Sequence, residues 1–283
     1  MTLGAPLVLA AVSAVLYALG SRRRLHLVGS GPPRWRWRGA CFLSGLALIV
    51  FVLGPAFDRW ADELFWAHML QHVVLTAVAP PLLLLGAPLM PLWRGLPLWL
   101  RRPFARAVVG LPQSVRDGLR TLRQPIPIFV VANADLVIWH VPAFYDLTLG
   151  NTVVHYAEHT LFLGLGLLFW AQVIDSPPLH LQLDGLWRAV YLTAAAAVGW
   201  VLALVFALAP TPLYHAYASL HHRPGGLSAL ADQELAAGVM LGLGSIPYSI
   251  AVFLGIYEWL DDEEPRRYRR RRPHRPLDGR AAM

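Results

Sequence analysis

The chain has 283 residues, of which 56% are hydrophobic and 14% charged, with a formal charge of +7 and a mean hydropathy of +0.48. Soluble domains carry about 25% charged residues, so the composition excludes a water-soluble globular protein and points to a polytopic membrane protein, each span needing about 20 apolar residues. The lone cysteine, Cys41, excludes an internal disulfide or a Cys-pair metal site and reads as a small buried hydrophobe.

The first apolar run, 3–20, is followed by Arg22-Arg23-Arg24. A signal peptide would carry its charge ahead of the apolar core, so this run reads as a retained helix with its N-terminus outside. The Arg34-Trp35-Arg36-Trp37-Arg38 alternation suits an interfacial anchor rather than a nucleic-acid surface. Span two is expected over 39–57, followed by an acidic link with Asp58, Asp62 and Glu63. Span three, 64–85, opens with His68 and His72. The basic-apolar stretch 86–125 fits helices lying on the membrane surface. Span four is 126–141, a short link 143–152 follows, and span five, 153–172, opens with His155 and His159. Span six is 187–208, a loop 209–232 carries His215, His221 and His222, and span seven is 233–257. The expected fold is therefore all-α, a seven-helix transmembrane bundle over 1–260, with an arginine-rich cytoplasmic tail, 261–283, that has no fold of its own.

All 24 basic residues are arginine, and 22 fall in 21–38, 86–125, 173–188 and the tail, which this topology puts on one side; Arg59 and Arg223 are the others. Arginine marks the cytoplasmic face, so the N-terminus is expected outside and the C-terminus inside. The same topology puts His68, His72, His140, His155, His159, His215, His221 and His222 at the outer face, and only His26, His180 and His274 inside.

Residues four apart on a helix share a face, about 5–6 Å from each other, so each of the pairs His68/His72 and His155/His159 can point at one atom. Ionisable groups inside a span are costly and mark function, and a mouth rich in imidazole and nearly free of arginine suits a cation. Imidazole takes copper, zinc, iron or nickel, and thioether sulfur shifts the preference to copper(I). His68, His72, His140, His155 and His159 are the candidate metal ligands. Met69 lies about 100° round the helix from its neighbours, and Met240 lies about two turns into span seven; with His215, Asp232, Glu158 and Asp135 they are candidates for further ligands or supporting groups. Asp135 sits about 7–8 Å below His140 along the helix, and either accepts from a ligating imidazole or pairs with a polar neighbour such as Asn133. The segment His155-Tyr156-Ala157-Glu158-His159 also matches the inverted zinc-protease signature, with Glu158 as general base. No phosphate-binding loop is present.

His68-Met69-Leu70-Gln71-His72 running into Ala79-Pro80-Pro81-Leu82, then Trp139-His140-Val141-Pro142 with Tyr145-Asp146, resembles the multi-span CtaG family of cytochrome c oxidase assembly factors. His155 to His159 with Phe169-Trp170, then Pro212-Leu213-Tyr214, then Asp232-Gln233 before a Gly/Met-rich span, continue the resemblance in order over about 60–260. It implies a bacterial plasma-membrane protein, multi-pass and without catalytic residues, that handles copper for an oxidase's metal centres and has oxidase subunits as partners. What carries over is His68, His72, His140, His155, His159 and Asp232. Beside this metallochaperone reading stand a bis-histidine haem protein, a copper transporter and a zinc metalloprotease.

Overall fold

The computed structural model describes residues 4–28, 34–220 and 222–271. Apart from one isolated bridge between Ser176 and Leu179, all regular structure among them is helical. Helix covers most of each expected span, with breaks at 53–54 inside span two and at 242–244 inside span seven. Four helical stretches are long and apolar enough to cross a membrane, Gly4–Arg23, Phe65–Leu85, Gly185–Leu208 and Ala229–Asp261, and two bent pairs raise the number to six. The helix of the expected fifth span, Thr152–Trp170, is not among them; it carries His155, Glu158 and His159 within its first turns, and these dilute its apolar character.

Numbered in chain order, α1 is Gly4–Val28, α2 Arg34–Val52, α3 Pro55–Glu63 and α4 Phe65–Val73; a π-helical turn, Val74–Val78, joins α4 to α5, Ala79–Leu85. Then come α6 Leu89–Gly95, α7 Leu98–Val109, α8 Gln113–Leu122, α9 Pro125–Trp139, α10 Pro142–Gly150, α11 Thr152–Trp170, α12 Gly185–Leu208, the short α13 His215–Ala218, α14 Ala229–Leu241 and α15 Ser245–Arg271. The expected acidic link is helix α3, and the expected link after span four is helix α10. Both start on a proline at the first helical position, where the missing N–H costs nothing. The proline also turns the chain: α2 and α3 meet at 53°, and α9 and α10 at 73°. The stretch 86–125 is α6 to α8, of which α7 and α8 bury no residue. Helix α15 continues past 257 to Arg271, through Glu and Arg residues that are good helix formers; residues 272–283 lie outside the described residues.

The run α4–π–α5 is the axis of the bundle. Of its apolar window 72% is buried, against 33% or less in the other three long apolar helices. Its irregularity follows from Pro80 and Pro81. In either the α or the π register, the residue that would donate to the Thr76 carbonyl is one of these prolines. The freed carbonyl accepts instead from Trp170 Nε1 at the end of α11, at 3.0 Å. Close approach of the two helices depends on Gly166: a Cβ there would lie 3.0 Å from Pro80 Cγ, 3.1 Å from the Thr76 oxygen and 3.2 Å from the Leu75 oxygen. This contact sets the depth at which α11, two turns higher, presents His159 to α4.

Gly166→Val is expected to destabilise the protein by about 1–3 kcal/mol through overpacking, lowering its melting temperature in detergent. Gly164→Ala, whose Cβ would meet nothing within 4 Å, is expected to hold or slightly raise it.

Candidate metal centre

The site is built where α4, the end of α9, α10 and the first turns of α11 meet. Helical spacing brings His68 and His72 to one face of α4, ring centroids 4.5 Å apart, and His155 and His159 to one face of α11, 4.2 Å apart. The two faces oppose each other: His68 stacks on His155 at 5.3 Å, His68 lies 6.0 Å from His159, and His72 lies 5.7 Å from His159. Residue His140 completes the ring from the C-terminus of α9, 5.4 Å from His72. One ligand atom from each of His68, His155, Glu158 and His159 falls in a group whose members all lie within 4.8 Å of one another. All are buried except His155, which is half-buried.

Hydrogen bonding sets the imidazole tautomers. The Tyr217 hydroxyl donates to the Ala61 carbonyl at 2.6 Å, so its single proton is committed. Its contact with His68 Nδ1, at 3.3 Å, is therefore accepted from an Nδ1–H, and His68 Nε2 keeps its lone pair. Burial holds the Tyr217 phenol well above its usual range, so it does not ionise. Likewise His140 Nδ1 donates to the Leu136 carbonyl at 2.6 Å, leaving Nε2 as a free acceptor. Among the described residues His68 Nε2, both nitrogens of His72, His140 Nε2 and His159 Nδ1 have no hydrogen-bond partner, nor do the Glu158 oxygens. The nearby Thr148 hydroxyl is spent on the Tyr145 carbonyl at 2.8 Å. His72 Nε2 lies 3.5 Å from Glu158 Oε1, and His155 and His159 face each other through Nε2 at 3.1 Å. Buried polar groups are almost always satisfied, so this many unspent polar atoms within one buried cluster mark a candidate cation site.

The other sequence candidates are placed elsewhere. Asp232 is buried on α14, where its carboxylate accepts from Phe65 N at 2.9 Å and Trp66 N at 3.0 Å. Helix α4 starts afresh after the extended Leu64 and has no side-chain cap of its own, so Asp232 caps it from across the bundle. Asp135 pairs with a neighbour on its own helix, but with Trp139 rather than Asn133: Trp139 Nε1 donates to it at 2.8 Å, while Asn133 donates to the Phe129 carbonyl. His215 and His222 are exposed, and His221 lies outside the described residues. Met69 is fully buried against Phe65, Tyr145 and Phe206, with Met240 packed on the same cluster.

Sequence reasoning missed Tyr217. Its one trace is the spacing of Tyr214 and Tyr217 across a short helix that follows Pro212; Tyr214 itself donates to the His140 carbonyl at 2.8 Å. Gln233 was quoted only as part of a motif, and it pins the loop before α13, accepting from Leu213 N at 2.8 Å and donating to the Phe206 carbonyl at 3.0 Å.

An all-helical membrane protein with a buried histidine–carboxylate centre is the class these features define. Residues 15–262 match the cytochrome c oxidase caa3 assembly factor family (Caa3_CtaG), and the chain belongs to it. Uncharacterised proteins of Mycobacterium bovis and Mycobacterium tuberculosis are each 28% identical over 223 residues, 77% of this chain and 33% of theirs. The chain thus spans about a third of the length of the curated relatives it matches. No solved structure matches it significantly.

Loss of the cap in Asp232→Ala is expected to cost about 1–2 kcal/mol, read as a lower melting temperature in detergent. Asp232→Asn, which keeps an acceptor oxygen, is expected to cost less.

Proposed function

We propose that this protein is a non-enzymatic copper chaperone of the bacterial plasma membrane, which holds a copper ion at His68, His155, Glu158 and His159 and passes it to a subunit of a cytochrome c oxidase. The observation that carries this reading is the convergence of one ligand atom from each of these four residues within 4.8 Å, joined to membership of an oxidase assembly family. At the inner histidines space favours an ion over haem: the cavities adjoining His72, His140 and Asp135 measure about 60 and 50 Å³. Glu158 supports the ion from within the ligand group, a role that leaves it no substrate to act on as a protease base.

In this reading the bundle crosses the membrane seven times, α11 adding the fifth span in chain order to the six apolar stretches, with the N-terminus outside and the arginine-rich end inside. The arginine distribution is the support. The centre then lies near the outer face, and copper reaches it through a cavity of about 370 Å³ lined by Asp58, Asp62, Thr152, His155 and Tyr217. Carboxylates there raise the local cation concentration, and half-buried His155 is the first imidazole met. Gln71 holds Asp58 at this cavity's wall, donating to it at 3.2 Å.

Elemental analysis of copper-loaded protein in detergent tests the proposal. His68→Ala and His159→Ala are expected to retain copper at least about tenfold more weakly than wild type, and Tyr217→Phe, which leaves the His68 Nδ1–H without its acceptor, about tenfold more weakly. His180→Ala and His215→Ala are expected to be silent. Wild-type protein that retains no copper after loading would sink the reading. Reporter fusions after α15 test the orientation; a C-terminal reporter active only outside the cell would reverse it.

A further inference from the structure

Two of the five clustered histidines do not belong to the four-residue group. His72 and His140 line a separate cavity of about 60 Å³ between α4, α9, α12 and the break between α14 and α15. Both are buried, and His140 Nε2 and both nitrogens of His72 have no hydrogen-bond partner among the described residues. The other two side chains of interest on the same wall are Met69 and Met240. Three other polar groups there are occupied: the Thr76 hydroxyl donates to the His72 carbonyl at 2.7 Å, Trp200 Nε1 donates to Ser245 at 2.7 Å, and Ser245 donates to the Leu241 carbonyl at 2.5 Å; the Tyr248 hydroxyl also lines the wall. No carboxylate and no arginine lines the cavity.

We propose that His72, His140, Met69 and Met240 form a second metal position, for a soft monovalent cation such as copper(I), beside the first. Two imidazoles bound to one ion through bonds of about 2.0–2.1 Å place their ring centroids about 5–6 Å apart, and those of His72 and His140 are 5.4 Å apart at 81°. The donor set differs in kind from the first. Both donors are neutral and the thioether is soft, which suits a singly charged ion in an apolar wall, whereas the group with Glu158 adds a hard anionic oxygen to its imidazoles. His72 connects the two positions, since its Nε2 lies 3.5 Å from Glu158 while its ring lines the inner cavity. The ion therefore has a neighbouring, softer position deeper in the bundle, reached by exchange at a single residue. This inference rests on the metal-binding reading of the first group.

Anaerobic copper(I) titration of the full chain in detergent, with X-ray absorption of the loaded protein, tests it. Wild type is expected to retain about two ions per chain, with a copper–sulfur shell in its spectrum. Met69→Leu/Met240→Leu, a pair of near-isosteric changes that keep the packing, is expected to lose the sulfur shell and about one ion, and His140→Ala the same ion. His159→Ala is expected to lose the other ion and keep the sulfur shell. A wild type that binds one ion with nitrogen and oxygen neighbours alone overturns the second position and leaves the first standing. No copper bound by any variant or by wild type overturns both.

Discussion

The carboxylate of Asp232 closes the N-terminus of α4, and the geometry of the centre hangs from that contact. A helix that begins inside a protein leaves its first N–H groups without partners, and in an apolar bundle water cannot supply them. Leu64, extended and without a polar side chain, offers nothing. By accepting from Phe65 and Trp66, Asp232 fixes where α4 starts and ties α14 to it. His68 follows one turn later, and His72 two turns later, on the face turned to α11. An acidic group at a helix N-terminus is also favoured by the helix dipole, so one carboxylate answers both demands.

The lower end of the same span is fixed by the opposite device. Asp232 supplies an acceptor to surplus donors, whereas Pro80 and Pro81 withhold donors and leave the Thr76 carbonyl to Trp170. The π turn between them lies directly below His72, and such turns are found mostly at functional sites. Gly166 lets α11 lie against that turn. The central span is thus clamped at its top by α14 and at its base by α11, and the histidines lie between the clamps. Around them a ring of aromatic side chains, Phe65, Tyr145, Phe206, Tyr214 and Tyr217, packs edge-on and stacked, shutting the centre off from above except at the cavity beside His155.

Much of the candidate site could be read from spacing. Histidines four apart in two apolar runs announce two faces, and a helix makes those faces whatever surrounds them. The Trp139–Asp135 hydrogen bond obeys the same four-residue rule and is legible in the spacing, although His140 and Asn133 are also near in sequence. Asp232 was legible only as an unusual residue at a span's start. Its role depends on a helix 166 residues away in sequence, and nothing local announces that. The helices α3 and α10 were read as links because their short lengths and charged or polar residues mask the helix-starting prolines at Pro55 and Pro142.

Composition, periodicity and the arginine pattern determined by themselves that the chain is helical, that it lives in a membrane and that imidazoles gather at one end of its spans. These follow from the cost of exposing apolar surface to water and of burying charge in lipid, which act on each segment separately. The tertiary structure alone decided which lone pairs are spent and which remain. Tyr217 gives His68 its tautomer, Asp232 is taken by backbone N–H groups, and the five histidines divide between a group with Glu158 and a cavity with Met69 and Met240. Hydrogen bonds and cavities are properties of pairs of segments far apart in the chain, and only packing brings those pairs together.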